Sequence, residues 1–237
     1  MTKRASNIRY LAYLKYFGFK VKCPCCGGRF NKFLPAGIKQ RLNALCPACG
    51  SLERHRLLWI FLKQHTNFFT DDMKVLDIAP TPFLQSRWIR RKNLEYISLD
   101  VSSPEAMLYS DVTRLAIKQG SFDCFLCYHV LEHVPDDAAA LHELYRILKP
   151  GGWAIIQSPV DYKREKTFED PQASPEDRSR LFGQKDHVRI YGRDYKDRLG
   201  SAGFLVDVIE MKDIIEEKNI TFYGLLKDEK IYYCRKK

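Results

Sequence analysis

The chain has 237 residues, 45% of them hydrophobic and 29% charged. That is enough for one large domain, or a domain with a small appendage, and enough to bury a real core. No stretch approaches the ~18 uninterrupted apolar residues of a membrane span, and the basic start lacks the apolar run of a secretory signal, so the expected compartment is the cytoplasm. The formal charge of +10 is placed unevenly: residues 1–70 carry thirteen Lys/Arg against the single acid Glu53, whereas residues 71–237 are nearly balanced. A basic first third points to a polyanionic partner such as RNA; a basic face that only aids solubility is the plainer reading.

Residues 8–20, with Ile8, Leu11, Leu14 and Tyr16 among the apolar positions, read as a short amphipathic helix. Five of the eight cysteines then fall between positions 23 and 49. Cys23-Pro24-Cys25-Cys26 and Cys46-Pro47-Ala48-Cys49 make two C-x-x-C knuckles separated by 19 residues. In a reducing compartment such pairing selects a metal over disulfides. Four converging thiolates from Cys23, Cys26, Cys46 and Cys49 suit a closed, tetrahedral, structural Zn²⁺ site. Gly27 and Gly50 follow the two pairs, where a tight turn favours glycine. Cys25 has the wrong spacing and is left a free thiol. His55 is an alternative ligand or, more simply, a surface residue at the next helix start, and unliganded core cysteines are the other reading of the cluster.

Ser51 precedes LERHRLLWIFLKQH, a run of strong helix formers read as a linker. Asp71 and Asp72 mark the boundary between a module over 1–70 and a domain over 71–237. Strands are expected at 74–79, 94–101, 106–112, 122–129 and 153–159, and helices at 82–91 and 137–148. Lys149-Pro150-Gly151-Gly152 reads as a helix stop and turn. The polar stretch 161–190 is long for a plain connection and reads as a lid or binding loop. A helix at 193–202 stops at Gly203, and 204–210 and 231–236 are the final strands. The fold class is α/β, doubly wound around a mostly parallel seven-stranded sheet whose last two strands can pair antiparallel.

KVLDIA, SLDV, YSDVTRL, FDCFLCYHVLEHVPDD and ELYRILKPGGWAIIQSP resemble, in this order and spacing, the successive motifs of class I S-adenosylmethionine-dependent methyltransferases. More narrowly they resemble the type 11 group, over about residues 74–210. The resemblance implies a Rossmann-like methyltransferase fold with S-adenosylmethionine as cofactor, at the carboxyl ends of the strands near the topological switch point. There it gives Asp77 the amino-acid portion and Asp100, with Val101 beside it, the ribose hydroxyls. Asp111 takes the adenine edge with Val112 next to the ring, and Tyr128 and His129 lie by the methionine part and the methyl group. Each aspartate can instead cap the turn that follows it.

The loop after the first strand departs from the family. Ala79-Pro80-Thr81-Pro82 stands where glycines usually let the backbone approach the ligand, and prolines remove amide donors. Either the loop follows another path, with Ala79 and Pro80 still bordering the cofactor, or binding is weakened or lost. His129, Glu132 and His133 form a cluster that the family carries without metal; one histidine lines the pocket while Glu132 orients a neighbour. FGQKDHVRIYGRDY resembles a string found in zinc-ribbon-bearing type 11 methyltransferases. Methyl transfer is an in-line displacement that mostly needs positioning. For an oxygen or nitrogen acceptor His187 is the first candidate base and His133 the second, the plain alternative being an Asp186–His187 pair that shapes the loop.

Three functions stay open: a methyltransferase whose zinc module helps hold RNA; one acting on a small molecule, saccharide or lipid intermediate; and a non-catalytic binding protein on a decayed fold. The aromatic residues Tyr10, Tyr13, Tyr16, Phe17, Phe19, Phe30 and Phe33 are base-stacking platforms or simply the module's core.

Overall fold

The computed structural model describes residues 13–37, 40–170 and 172–237. Ile8, Tyr10 and Leu11, and with them most of the helix expected over 8–20, lie outside these residues. Residues 13–16 are helical, and a strand already begins at Phe17, which shortens that expectation. The chain forms two compact units. One comprises the chain up to Asp71 together with Ile209–Lys230; the other comprises Asp72–Val208 with Ile231–Lys237. The boundary falls at the paired aspartates, and the excursion between the last two strands joins the first unit.

In the first unit, β1 (Phe17–Lys22) pairs antiparallel with β2 (Arg29–Phe30), and β3 (Leu34–Ala36) with β4 (Arg41–Leu45). Helix α1 (Glu53–His65) buries Leu57, Leu58, Phe61 and Leu62 on one side, a spacing that makes one apolar stripe. Arg56 projects from the other side of the helix, next to Ile60, and is also fully buried. A buried guanidinium is tolerated only when its donors are used. Its Nε donates to Tyr223 O at 2.7 Å, Nη1 to Ala44 O and Ser51 O at 2.8 Å each, and Nη2 to Gly224 O at 2.6 Å and Asn43 O at 3.3 Å. The guanidinium also stands 4.1 Å from the Phe33 ring centre. Arg56 thereby gathers β4, the second knuckle and the 209–230 excursion. His55 is buried, not a surface residue: its Nδ1 accepts the Leu52 N–H at 3.2 Å and caps the helix start.

The second unit holds one seven-stranded sheet. Its strands are β5 (Met73–Ile78), β6 (Leu94–Asp100), β7 (Leu108–Tyr109), β8 (Phe122–Tyr128), β9 (Leu148–Gln157), β12 (Leu205–Glu210) and β13 (Lys230–Arg235). The order is β12-β13-β9-β8-β5-β6-β7, with β5, β6, β7, β8 and β9 parallel and β13 antiparallel against β9. This is the mostly parallel α/β architecture expected from the alternating pattern. Central β5 is buried along nearly its whole length, as a strand covered on both faces must be. Helices α2 (Pro82–Trp88) and α3 (Asp137–Ile147) belong to the crossovers, and α3 packs Leu141, Leu144 and Ile147 into the core with Phe125 and Ile156.

Two details differ from the sequence reading. The third strand is only two residues long. The fifth begins at Leu148, so Lys149-Pro150-Gly151-Gly152 lies inside β9 as an irregular stretch rather than a turn before it: the pairing skips from Phe122↔Leu148 to Cys124↔Trp153, and Gly151 takes φ +75°. The stretch 161–190 has structure of its own. Its β10 (Phe168–Glu169) pairs with β11 (Arg189–Ile190), and α4 (Pro175–Phe182) lies between them. Helix α5 (Tyr195–Ser201) follows.

Candidate functional site

Sheet order reverses between β5 and β8, because the chain fills one side with β6 and β7 before crossing to β8 and β9. Ligands of open α/β sheets bind at the carboxyl ends beside such a point. The register makes the rim explicit: Ile78 faces Leu99 on one side and Cys127 on the other, and Tyr128 faces Gln157. Ala79, Asp100 and Tyr128 therefore stand level, each one residue beyond Ile78, Leu99 and Cys127.

Asp77 sits just below the rim, buried, and accepts the Tyr96 hydroxyl at 2.8 Å. Burial pushes its pKa from 3.8 up to about 7, with the Tyr96 hydrogen bond pulling the other way. Ala79 takes φ +50° and donates its N–H to Leu99 O at 2.8 Å. The backbone thus makes the left-handed turn for which glycine is the usual residue. The prolines cost little here: Pro82 opens α2 at a position whose N–H has no intrahelical acceptor. Thr81, the residue before that helix, has a buried hydroxyl with no hydrogen-bond partner among the described residues. A buried orphan hydroxyl on this rim fits a polar ligand.

Asp100 accepts Ser102 N, Ser103 N and Ser102 Oγ with Oδ1, at 2.7, 2.8 and 3.2 Å. Asp111 accepts Thr113 N and Oγ1 with Oδ1, at 2.8 and 2.9 Å. Each acid caps its turn with one oxygen and keeps Oδ2 for another partner, so capping and ligand contact are compatible. Val101 is exposed, Val112 buried, and Tyr128 and His129 half-buried. His129 has φ +57° and donates its N–H to Gln157 O at 2.7 Å.

A second polar group lies beyond β8. Buried Glu132 accepts Ser158 Oγ at 2.9 Å and is 3.1 Å from His129 Nδ1. Burial presses its pKa upward, but His129 and Ser158 outweigh that and hold it below the usual carboxylate value. Asp186 pairs with His133, 3.3 Å from Nδ1, rather than with His187. His187 is buried, its pKa lowered by that burial, and its ring meets the His133 ring edge-on at 4.7 Å.

The DHVRIYGRDY string anchors this arrangement. Buried Arg189 donates to the carbonyl oxygens of Leu131 at 2.7 Å, Pro135 at 2.8 Å and Val134, and to Glu169 Oε2 at 2.8 Å. The Tyr191 hydroxyl donates to buried Asp137 Oδ2 at 2.7 Å, and Arg198 grips both Asp137 oxygens at 2.7 Å. Tyr96, Ser158 and Thr81 escaped the sequence reading. Tyr96 alone had a signal, since it shares a face with Ser98, the residue opposite Asp77.

In the first unit the four paired cysteines converge, with ligand atoms all within 4.8 Å of one another. Cys23 Sγ lies 3.6 Å from Cys49 Sγ, and Cys26 Sγ lies 3.8 Å from Cys46 Sγ. Sulfurs at ~2.3 Å in a tetrahedron stand about 3.8 Å apart, so the set fits zinc. Gly27 and Gly50 both take φ +75° and donate back to Cys23 O and Cys46 O at 2.8 and 2.9 Å, closing two alike knuckles. Cys25 turns away toward His55 O at 3.7 Å, its pKa pushed up by burial and by Cys23.

Residues 76–156 match the type 11 family of methyltransferase domains. A ubiquinone biosynthesis O-methyltransferase of Albidiferax ferrireducens is 36% identical over 121 residues, which are 49% of this chain and 44% of that protein. Its namesake in Alkalilimnicola ehrlichii is 49% identical over 101 residues, 36% of this chain and 41% of that protein. The chain thus covers less than half the length of either relative. Among solved structures, an S-adenosylmethionine-dependent methyltransferase from Mesorhizobium loti aligns over 76% of this chain and 98% of its own, with TM-score 0.54 and 15% identity. The cyclase SpnF aligns over 79% and 84%, with TM-score 0.55 and 15% identity. Those two likenesses concern the fold. Among the described residues no helix is long and apolar enough to cross a membrane. Motif order, strand order and the matched domain thus agree in likening residues 76–156 to the type 11 methyltransferase domain.

Proposed function

We propose that the chain transfers a methyl group from S-adenosylmethionine to a substrate held at the 161–190 segment, and that its zinc-loaded module helps hold that substrate, RNA being the first choice. The observation that carries the reading is Ala79, which keeps positive φ on a rim that also presents Asp77, Asp100 and the orphan Thr81 hydroxyl. This also weighs against a decayed, non-binding fold. When bound, the cofactor supplies a methyl group on a positively charged sulfur. Asp77 holds its ammonium group, Asp100 a ribose hydroxyl, and Asp111 with Val112 the adenine; Ala79, Pro80 and Val101 border it, and Tyr128 and His129 flank the methionine part. His187, whose burial favours the neutral imidazole, takes the acceptor proton in this reading, with His133 as the second choice.

Zinc on Cys23, Cys26, Cys46 and Cys49 is structural, with no open coordination position. RNA is favoured by the surface of β1 and β2. Phe17, Phe19, Lys20 and Arg29 are exposed there, with the Arg29 guanidinium 5.9 Å from the Phe19 ring centre, whereas Phe30 and Phe33 are buried. Cationic groups beside an exposed ring suit a nucleic-acid backbone and a stacked base. A small-molecule acceptor is the second reading, favoured by the curated relatives named for ubiquinone biosynthesis.

Calorimetry on the zinc-loaded chain should show cofactor binding at micromolar strength, and no binding would sink the enzyme reading. An RNA gel shift that weakens steeply with salt and is lost in Phe19→Ala and Arg29→Glu favours the first substrate class; no shift moves the reading to the second.

A further inference from the structure

We infer that Glu132, His133 and His187 form a second metal site, for a divalent first-row transition ion, separate from the cysteine centre and borne by the other unit. One ligand atom of each residue lies within 4.8 Å of the other two. Ligands bound at ~2.1 Å stand about 3–4 Å apart, so modest side-chain rotation gathers the set. Two imidazoles with one carboxylate is a donor set suited to ions of the zinc, iron, cobalt and manganese kind.

Each ligand has the supporting contacts that metal ligands use. His133 Nδ1 lies 3.2 Å from the Asp186 carbonyl oxygen, which puts the proton on Nδ1 and leaves Nε2 with a free lone pair. The Phe182 backbone hydrogen-bonds the His187 side chain. The Glu132 oxygens take one hydrogen bond each, from Ser158 Oγ and from His129 Nδ1, so each keeps a lone pair. The carboxylate is buried and the His133 ring half-exposed, so the cluster can exchange an ion with solvent.

A cavity of about 200 Å³ adjoins the cluster, lined by Glu132, His187, Asp161, Phe182 and Ile190 among others. Three protein ligands beside open space is the pattern of a site that keeps coordination positions for water or substrate. An ion there would lower the pKa of a bound hydroxyl. It would also tie the segment carrying His187 to the end of β8. With the ion in place His187 is a ligand and not a free base. The inference goes beyond methyl transfer and does not depend on it.

The test is titration of the full chain, stripped of metal and kept reduced, with Co²⁺. Two equivalents are expected. One carries the intense near-ultraviolet absorption of thiolate ligands; the other adds only weak visible bands from nitrogen and oxygen ligands. His187→Ala and His133→Ala should each lose the weak-band equivalent and keep the thiolate one, which also reports that the variants fold. Cys26→Ser with Cys46→Ser should show the converse. A weak-band equivalent without a thiolate one would refute the cysteine reading and leave this site standing. A single thiolate-bound equivalent in the unaltered chain, or two equivalents that persist in both histidine variants, would overturn the inference.

Discussion

The Tyr96 hydroxyl donates to the Asp77 carboxylate at 2.8 Å, below the rim of the sheet, and among the described residues no cation shares that carboxylate. Burial raises the Asp77 pKa from 3.8 to about 7. A group whose folded pKa exceeds its unfolded one contributes stability below the unfolded value and loses it as pH climbs through the folded value. Chain stability should therefore fall between about pH 4 and 7, by something on the order of 3–4 kcal/mol, and level off above. Asp77→Asn should remove that slope and raise the unfolding midpoint at pH 8. Urea titrations across this range check it, and an unchanged slope in the variant would refute the assignment.

A ligand ammonium placed against Asp77 favours its charged form. Cofactor affinity should therefore rise with pH through about 7, with a proton released on binding below that pH. Calorimetry in buffers of different ionisation enthalpy measures the proton. In Asp77→Asn the affinity should drop roughly tenfold or more, the loss of a charge-assisted bond, and the pH dependence should vanish with it.

Ala79 at φ +50° is strained for a residue with a side chain, by about 1–2 kcal/mol. Ala79→Gly relieves that but adds unfolded-state entropy, leaving a net gain of up to ~1 kcal/mol, with cofactor binding kept. Ala79→Val, β-branched at the same φ, should lose both stability and binding. Thermal unfolding and calorimetry on the pair decide whether this turn is the cofactor loop.

The sheet and the cysteine knuckles were legible because each rests on a local signal. Apolar runs bounded by turns mark strands, and C-x-x-C followed by glycine marks a knuckle. The misread places were those that long-range pairing decides. Lys149-Pro150-Gly151-Gly152 carries every sign of a turn, yet pairing with β8 and β13 draws it into β9 as an irregularity. The 161–190 segment reads as a lid or binding loop, and its own strands and helix left no sequence signal because its anchors, Arg189 to Leu131 and Tyr191 to Asp137, span more than fifty residues. Arg56 had no signal at all: a helix-start arginine in a basic sequence reads as surface until its five carbonyl acceptors are seen.

Arg56→Met should cost about 3–5 kcal/mol, the range for dismantling a buried charge network, because it leaves the carbonyls of Ala44, Ser51, Tyr223 and Gly224 without their donor. Arg56→Lys should recover only part, since an ammonium cannot fan out over so many acceptors. Cys23, Cys25 and Cys46 all act on the Arg56 charge, so zinc release to a chelator should also quicken, roughly 10-fold or more. Gly224→Ala gives a separate check. The added Cβ would sit 2.5 Å from Phe33 Cδ2 and 3.0 Å from Arg56 Nη2 at φ +59°, so it should destabilise the same unit with the arginine intact.

Asp137 is buried and held by Tyr191 at 2.7 Å and by Arg198 through two bonds of 2.7 Å. The two partners should differ in weight. Tyr191→Phe removes one neutral donor while the arginine stays, an effect of about 1 kcal/mol. Arg198→Met leaves a buried carboxylate without its closest cation, an effect of about 3–5 kcal/mol. The loss should also reach Glu169, which Arg198 and Arg189 share at 3.2 and 2.8 Å, and so loosen β10 against β11. Hydrogen exchange should rise in Arg198→Met at Phe168–Glu169 and Arg189–Ile190 while β5 and β8 stay protected. Equal effects from the two variants, or loosening spread evenly over the sheet, would show that Asp137 is not the pin that holds this segment to α3.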